Sequence, residues 1–132
     1  MRAINMTLIF CMMTTGAAAK PPLREVPQVD GTLLQIGIAD AIRKNCPEIS
    51  ARLLRAFRVI FDVKQHAIDL GYTEEEIDAY RKSHSEKARL KELRRQYLAN
   101  AGVKPDQSKT YCDLGRAEIE KGGQIGALLR AN

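Results

Sequence analysis

Hydrophobic positions recur at three and four residues over most of this chain, and no stretch alternates as a half-buried strand should. In "GTLLQIGIADAIRKN", Leu33, Leu34, Ile38 and Ile42 form one stripe, and Lys44 stands at the carboxyl end, where the helix dipole favours a cation. Asn45-Cys46-Pro47 stops that helix. Pro47 suits the first turn of the next, because its missing N–H would have no partner there. The second predicted helix runs from about Pro47 to Leu70 and carries the strongest signal. Ile49, Leu53, Leu54, Phe57, Phe61 and Ile68 make an apolar stripe for the core, with Arg52, Arg55, Arg58 and Lys64 largely on other faces. Gly71 is its natural stop.

"GYTEEEIDAY" opens a third helix. Thr73 and Glu76 match a capping box, Tyr72 and Ile77 match its hydrophobic staple, and Glu74 and Glu75 place negative charge at the positive end of the dipole. The body is mostly polar out to Asn100, with Tyr80, His84, Leu90, Leu93 and Tyr97 as a thin apolar stripe. A surface helix, or one bent near Ser83–Ser85, is expected. After the turn "VKPDQS", a fourth helix from about Lys109 to Lys121 turns Cys112, Leu114 and Ile119 inward. "QIGALLRAN" gives a short terminal helix with Ile125, Leu128 and Leu129 apolar. The pattern predicts an all-α domain, a compact bundle of four to five helices.

The first residues do not belong to that pattern. Arg2 is followed by an apolar, uncharged run from Met6 to Thr15, then Ala17-Ala18-Ala19 and Lys20-Pro21-Pro22. This is the secretory signal layout, with Ala17 and Ala19 at the two small-residue positions and the cut before Lys20. The run is about half of the roughly 20 residues that a membrane span needs, so no transmembrane span is expected in the mature chain. Ile9 and Phe10 are too bulky to make Cys11 a lipidation site. The expected organisation is a signal peptide over 1–19, an extended leader over 20–30 with Asp30 capping the first helix, and a helical domain over 31–132.

Removal of the leader takes Cys11 with it and leaves Cys46 and Cys112 as an even pair in an oxidising compartment. Each thiol then has one available protein partner, so an interhelix Cys46–Cys112 disulfide is expected, worth about 4 kcal/mol in the chain-entropy model. The remaining chain suits one domain with its own core. Basic residues exceed acidic ones, 21 against 16, and tryptophan is absent. A modest positive balance fits an acidic partner or an anionic membrane surface, and by itself also fits simple solubility.

Candidate chemistry is sparse. His66, His84, Cys46 and Cys112 are the imidazoles and thiols left, without C-x-x-C or H-x-x-x-H spacing, so no metal and no cofactor is expected. Glu74, Glu75, Glu76 and Asp78 are explained by the helix start. "EKARLKELRRQ" carries Lys87, Arg89, Lys91, Arg94 and Arg95, but Glu86 and Glu92 interrupt it and no stacking aromatics accompany it. A solvated face is expected there, not a nucleic-acid site, with a protein or membrane-surface contact second. Gly115 inside a helix costs about 1 kcal/mol against alanine, which points to a close approach of the helix that follows Pro47.

The cysteine before Pro47, "LGYTEEEIDAY" and "YCDLGRAEIEKGGQIGALLR" together resemble a family of small exported alphaproteobacterial proteins catalogued only as a domain of unknown function. The resemblance covers nearly all of the chain past the leader. It implies a periplasmic location and a helical domain with paired cysteines, and it brings no catalytic residues. The expectation is a non-enzymatic binding or accessory protein with a protein partner, docked on the periplasmic face of an inner-membrane complex such as a respiratory enzyme. Two other classes stay open: a thiol-dependent enzyme or redox sensor pairing Cys112 with His66 or His84, and a small-ligand carrier with its pocket between helices.

Overall fold

The computed structural model describes residues 19–132, so the apolar run and Ala17 lie outside the described residues. Ala19 and Lys20 are exposed and non-helical. Pro21 and Pro22 lead into a 3-10 turn at Leu23–Glu25, and the first helix, α1 (Pro27–Asn45), begins inside the stretch expected to be extended. The reason is local. Pro27 occupies the first helical position, where its missing N–H costs nothing, and Leu23, Val26 and Val29 are buried at a spacing of three. Asp30 is therefore not a cap; it lies in the first turn of α1.

Cys46 ends α1, and the chain then departs from the predicted helix at Pro47. Ile49–Ala51 is a strand, β1, and α2 (Leu53–Asp69) starts only after it. The partner strand, β2 (Leu129–Ala131), replaces the tail of the predicted terminal helix, of which α6 (Gln124–Ala127) is the helical part. The two strands are antiparallel, with Ile49 opposite Ala131 and Ala51 opposite Leu129. Three residues are too few to show alternation, and the burial of Ile49 and Leu129 on the core side holds the ribbon in place.

The predicted third helix is two helices. α3 (Glu74–Lys82) begins with the full Thr73/Glu76 capping box, and α4 (His84–Asn100) begins at Ser83, whose hydroxyl accepts from the Glu86 amide at 3.3 Å. α5 (Ser108–Lys121) follows as expected. Among the described residues there are thus six α-helices and one small ribbon, so the all-helical reading holds with one helix divided and two short strands added.

Two apolar clusters organise the fold. One gathers Ile38 and Ile42 of α1, Ile49, Leu98 of α4, Ile125 and Leu129 around a Cys46–Cys112 disulfide that joins positions 66 apart. A Cβ on Gly115 would lie 2.3 Å from Ile49 Cδ1 and 2.7 Å from Ile42 Cγ2, so glycine lets α5 pass close to α1 and β1. The second cluster sets Leu23, Val26 and Val29 against Ala67 and Tyr72, with Ile77 packed on it as the predicted staple.

Candidate functional site

α2 turns its largest apolar side chains away from both clusters. Leu54 is 88% exposed, Phe57 66% and Phe61 65%, and Leu53 and Ile60 join them. At 100° per residue these five fall within roughly 120° of the helix surface. The side against the body carries smaller residues, Ala56, Val59, Val63 and Ala67. The expectation that Leu53, Leu54, Phe57 and Phe61 would enter the core is therefore wrong. α2 has two apolar faces, and the body covers the one with the smaller side chains.

On the polar side of α2 lies a groove of about 620 Å³, walled by α1, α2 and α6. Val59, Val63 and Leu128 give it apolar surface, while Arg55, Arg58 and His66 bring nitrogen donors and Asp62 is its one carboxylate. Leu54 borders this groove and the outward face together. Gln35 of α1 contributes a buried Oε1 that has no hydrogen-bond partner. Arg52, Arg55 and Arg58 pair with no carboxylate among the described residues. Arg52 instead fastens the helix start, donating from its Nε to Leu129 O at 3.1 Å and from its amide to Leu128 O at 2.8 Å.

A partnered charge cluster lies between α1, α3 and α4. Asp30 receives Arg89 Nη1 at 3.1 Å and the Tyr80 hydroxyl at 2.5 Å, and Arg89 also reaches Glu86 at 2.8 Å while Arg24 donates to the same Glu86. Burial pushes the Asp30 carboxyl up, but hydrogen bonds from Arg89 and Tyr80 outweigh it and hold it below the ordinary aspartate value. Tyr80 is raised by its burial and by donating to Asp30. Tyr97 donates to Glu118 at 2.6 Å, and burial with that bond pushes it up to about 12. These groups bolt α4 to α1 and α5. They form no open site.

The other predicted residues separate. Cys112 is buried and bonded to Cys46, His84 is exposed on α4, and His66 faces the groove. Among the described residues no group of three or more His, Cys, Asp or Glu is placed to hold a metal ion. Lys20, the first residue past the predicted cut, donates to Gly71 O at 2.7 Å and to Glu76 at 2.8 Å, which ties the start of the described chain to the α2–α3 corner.

Residues 21–130 match the model of a family of unknown function, DUF5333. The chain belongs to this family. No curated protein and no solved structure matches it. The match to DUF5333 spans both clusters, the disulfide and the whole of α2, so the outward face belongs to the family domain and not to an appendage. Sequence reasoning missed that face in this DUF5333 chain although a signal was present. Ala56, Val59, Val63 and Ala67 also recur at helical spacing, and a helix apolar over so much of its surface has more to cover than one body packs.

Proposed function

We propose that this protein is an exported, non-enzymatic accessory protein that docks through the outward face of α2, in its specific form on the periplasmic face of an inner-membrane complex. The observation that carries the reading is the exposure of Leu54, Phe57 and Phe61 side by side on one helix. At about 200 Å² per large side chain, scaled by their exposures, Leu53, Leu54, Phe57, Ile60 and Phe61 together leave an apolar area on the order of 600 Å², the top of the range for a monomer's largest patch and a mark of an interaction surface. Export is supported by the signal layout of residues 1–19, by a family match that begins at Pro21, and by two thiols joined as a disulfide. The thiol-enzyme reading needs a free Cys112, which the bond to Cys46 consumes.

The test compares tagged full-length protein with a Phe57→Ser/Phe61→Ser variant in membranes extracted with mild detergent. The expected result is a stoichiometric complex of defined mass on native gels, lost in the variant and kept by a Glu92→Gln control on exposed α4 surface. A complex that persists in the ridge variant would overturn the reading. So would a partnerless monomer in both.

A further inference from the structure

Resting on the reading that the outward face of α2 docks at an inner-membrane complex, we infer that what this face meets there is the anionic leaflet beside the complex, with the ridge among the acyl chains and the groove beside it taking phosphate headgroups. Three observations point this way. The ridge projects: its residues stand free of the body, as an interfacial helix requires. Its first half is cationic without compensation. From Arg52 to Phe61 the chain carries three arginines and no acidic residue, and Arg130 joins them across the ribbon, opposite Ser50. Arg55 and Arg58 line the groove directly beneath Leu54, so charge and apolar surface meet at one edge, where phosphate meets acyl chain in a leaflet.

The groove adds chemistry that a bare basic helix lacks. Gln35 Oε1 is a buried acceptor without a donor, and Asp62 is a second acceptor on the same wall. A headgroup with both a phosphate and free hydroxyls satisfies the arginines and these acceptors together, which a glycerol-bearing anionic lipid provides. Lys64 sits in the middle of the apolar arc and is half-exposed, paired to Glu74 at 3.0 Å. That pair ends the uncharged part of the arc, so the ridge proper is Leu53 to Phe61. A second copy of the chain fits less well, because a two-fold pairing of this face would bring the unpaired Arg52, Arg55 and Arg58 of both copies to one seam, with like charges facing each other.

The absence of tryptophan supplies a clean reporter. Phe57→Trp in the full chain places the only indole on the ridge, so its emission reports on α2 and not on residues 6–15; Phe61→Trp serves as a second reporter. The expected result is a blue shift on adding vesicles of equal parts phosphatidylcholine and phosphatidylglycerol, and a much weaker one with phosphatidylcholine alone. Adding Arg55→Gln and Arg58→Gln should raise the lipid concentration at half-shift by at least about tenfold. No shift with either vesicle, an equal shift with both, or a shift without vesicles that grows with protein concentration would each overturn the inference. The last outcome assigns the face to a second copy. A stoichiometric complex on native gels together with no shift on either vesicle also sinks the lipid, and leaves the docking reading standing.

Discussion

α2 and α4 are both seventeen-residue helices on the outside of the domain, and they divide their polarity in opposite ways. α4 is largely polar, yet it buries Glu86 and Leu98 and sends Arg89 to Asp30 and Tyr97 to Glu118. α2 is strongly amphipathic, yet its largest apolar residues face outward, and Arg55, Arg58 and the preceding Arg52 have no carboxylate partner among the described residues. The difference shows that amphipathic strength does not say which face meets the core. Free cations alone do not separate the two, because Lys87, Lys91 and Arg94 of α4 also lack a carboxylate partner among the described residues. What sets α2 apart is large apolar surface left uncovered beside its cations, and such a helix has its complement elsewhere.

The largest effect should come from the frame that both helices lean on. Cys46→Ala/Cys112→Ala opens a 66-residue loop and should lower unfolding free energy by about 4 kcal/mol in urea titration, with α2 and α4 lost in one transition. A loss under about 1 kcal/mol would show that the clusters around α1 hold the frame unaided.

Next comes the α4 bolt. Arg89→Met leaves the Asp30 carboxylate half-buried without its main partner, and should cost about 2 kcal/mol, less than a fully buried pair because 28% of the Arg89 side chain is exposed. The same bolt sets the acid response. Asp30 has a folded value below its unfolded one, so its contribution is complete above about pH 5 and drains away as pH falls below about 4 and through the folded value. Stability therefore rises with pH across that window. Asp30→Asn should flatten the acid limb of a melting-temperature profile, with Asp40, lowered by Lys44 and Arg43 against its burial, carrying part of what remains. An unchanged slope would mean that the bolt does not form.

Much of the frame was legible in the residues. The capping box at Thr73, the stripe of Ile38 and Ile42, and the Cys46–Cys112 pair all follow from local chemistry and from counting thiols. The departures have tertiary causes. Pro27 to Asp30 became helical because Leu23, Val26 and Val29 found Ala67 on α2 and Tyr72 in the α2–α3 connection. Ile49 to Ala51 became a strand because Leu129 to Ala131 lay beside it, and no window over either segment contains the other. The candidate site failed for a different reason. Period alone could not choose between the two apolar faces of α2, and the stripe of Leu53, Phe57 and Phe61 looked more like a core face because its side chains are larger.

The smallest effect is the one that most sharpens the contrast. Truncating a ridge residue removes little from the fold, because its surface is already in water: Phe57→Ser and Phe61→Ser should each stay within about 0.5 kcal/mol of the parent in urea titration. The matching cut in α4, Leu98→Ala, should cost about 2–4 kcal/mol, since Leu98 is buried in the larger cluster. If Phe57→Ser proved as costly as Leu98→Ala, α2 would have to pack inward in solution and the docking face would vanish with it. If the ridge variants instead came out slightly more stable and more soluble than the parent, that would agree with a surface kept apolar against the interests of the isolated domain. Selection for folding alone gives no reason to hold two phenylalanines in water, so a neutral or favourable result places the reason for them outside the chain.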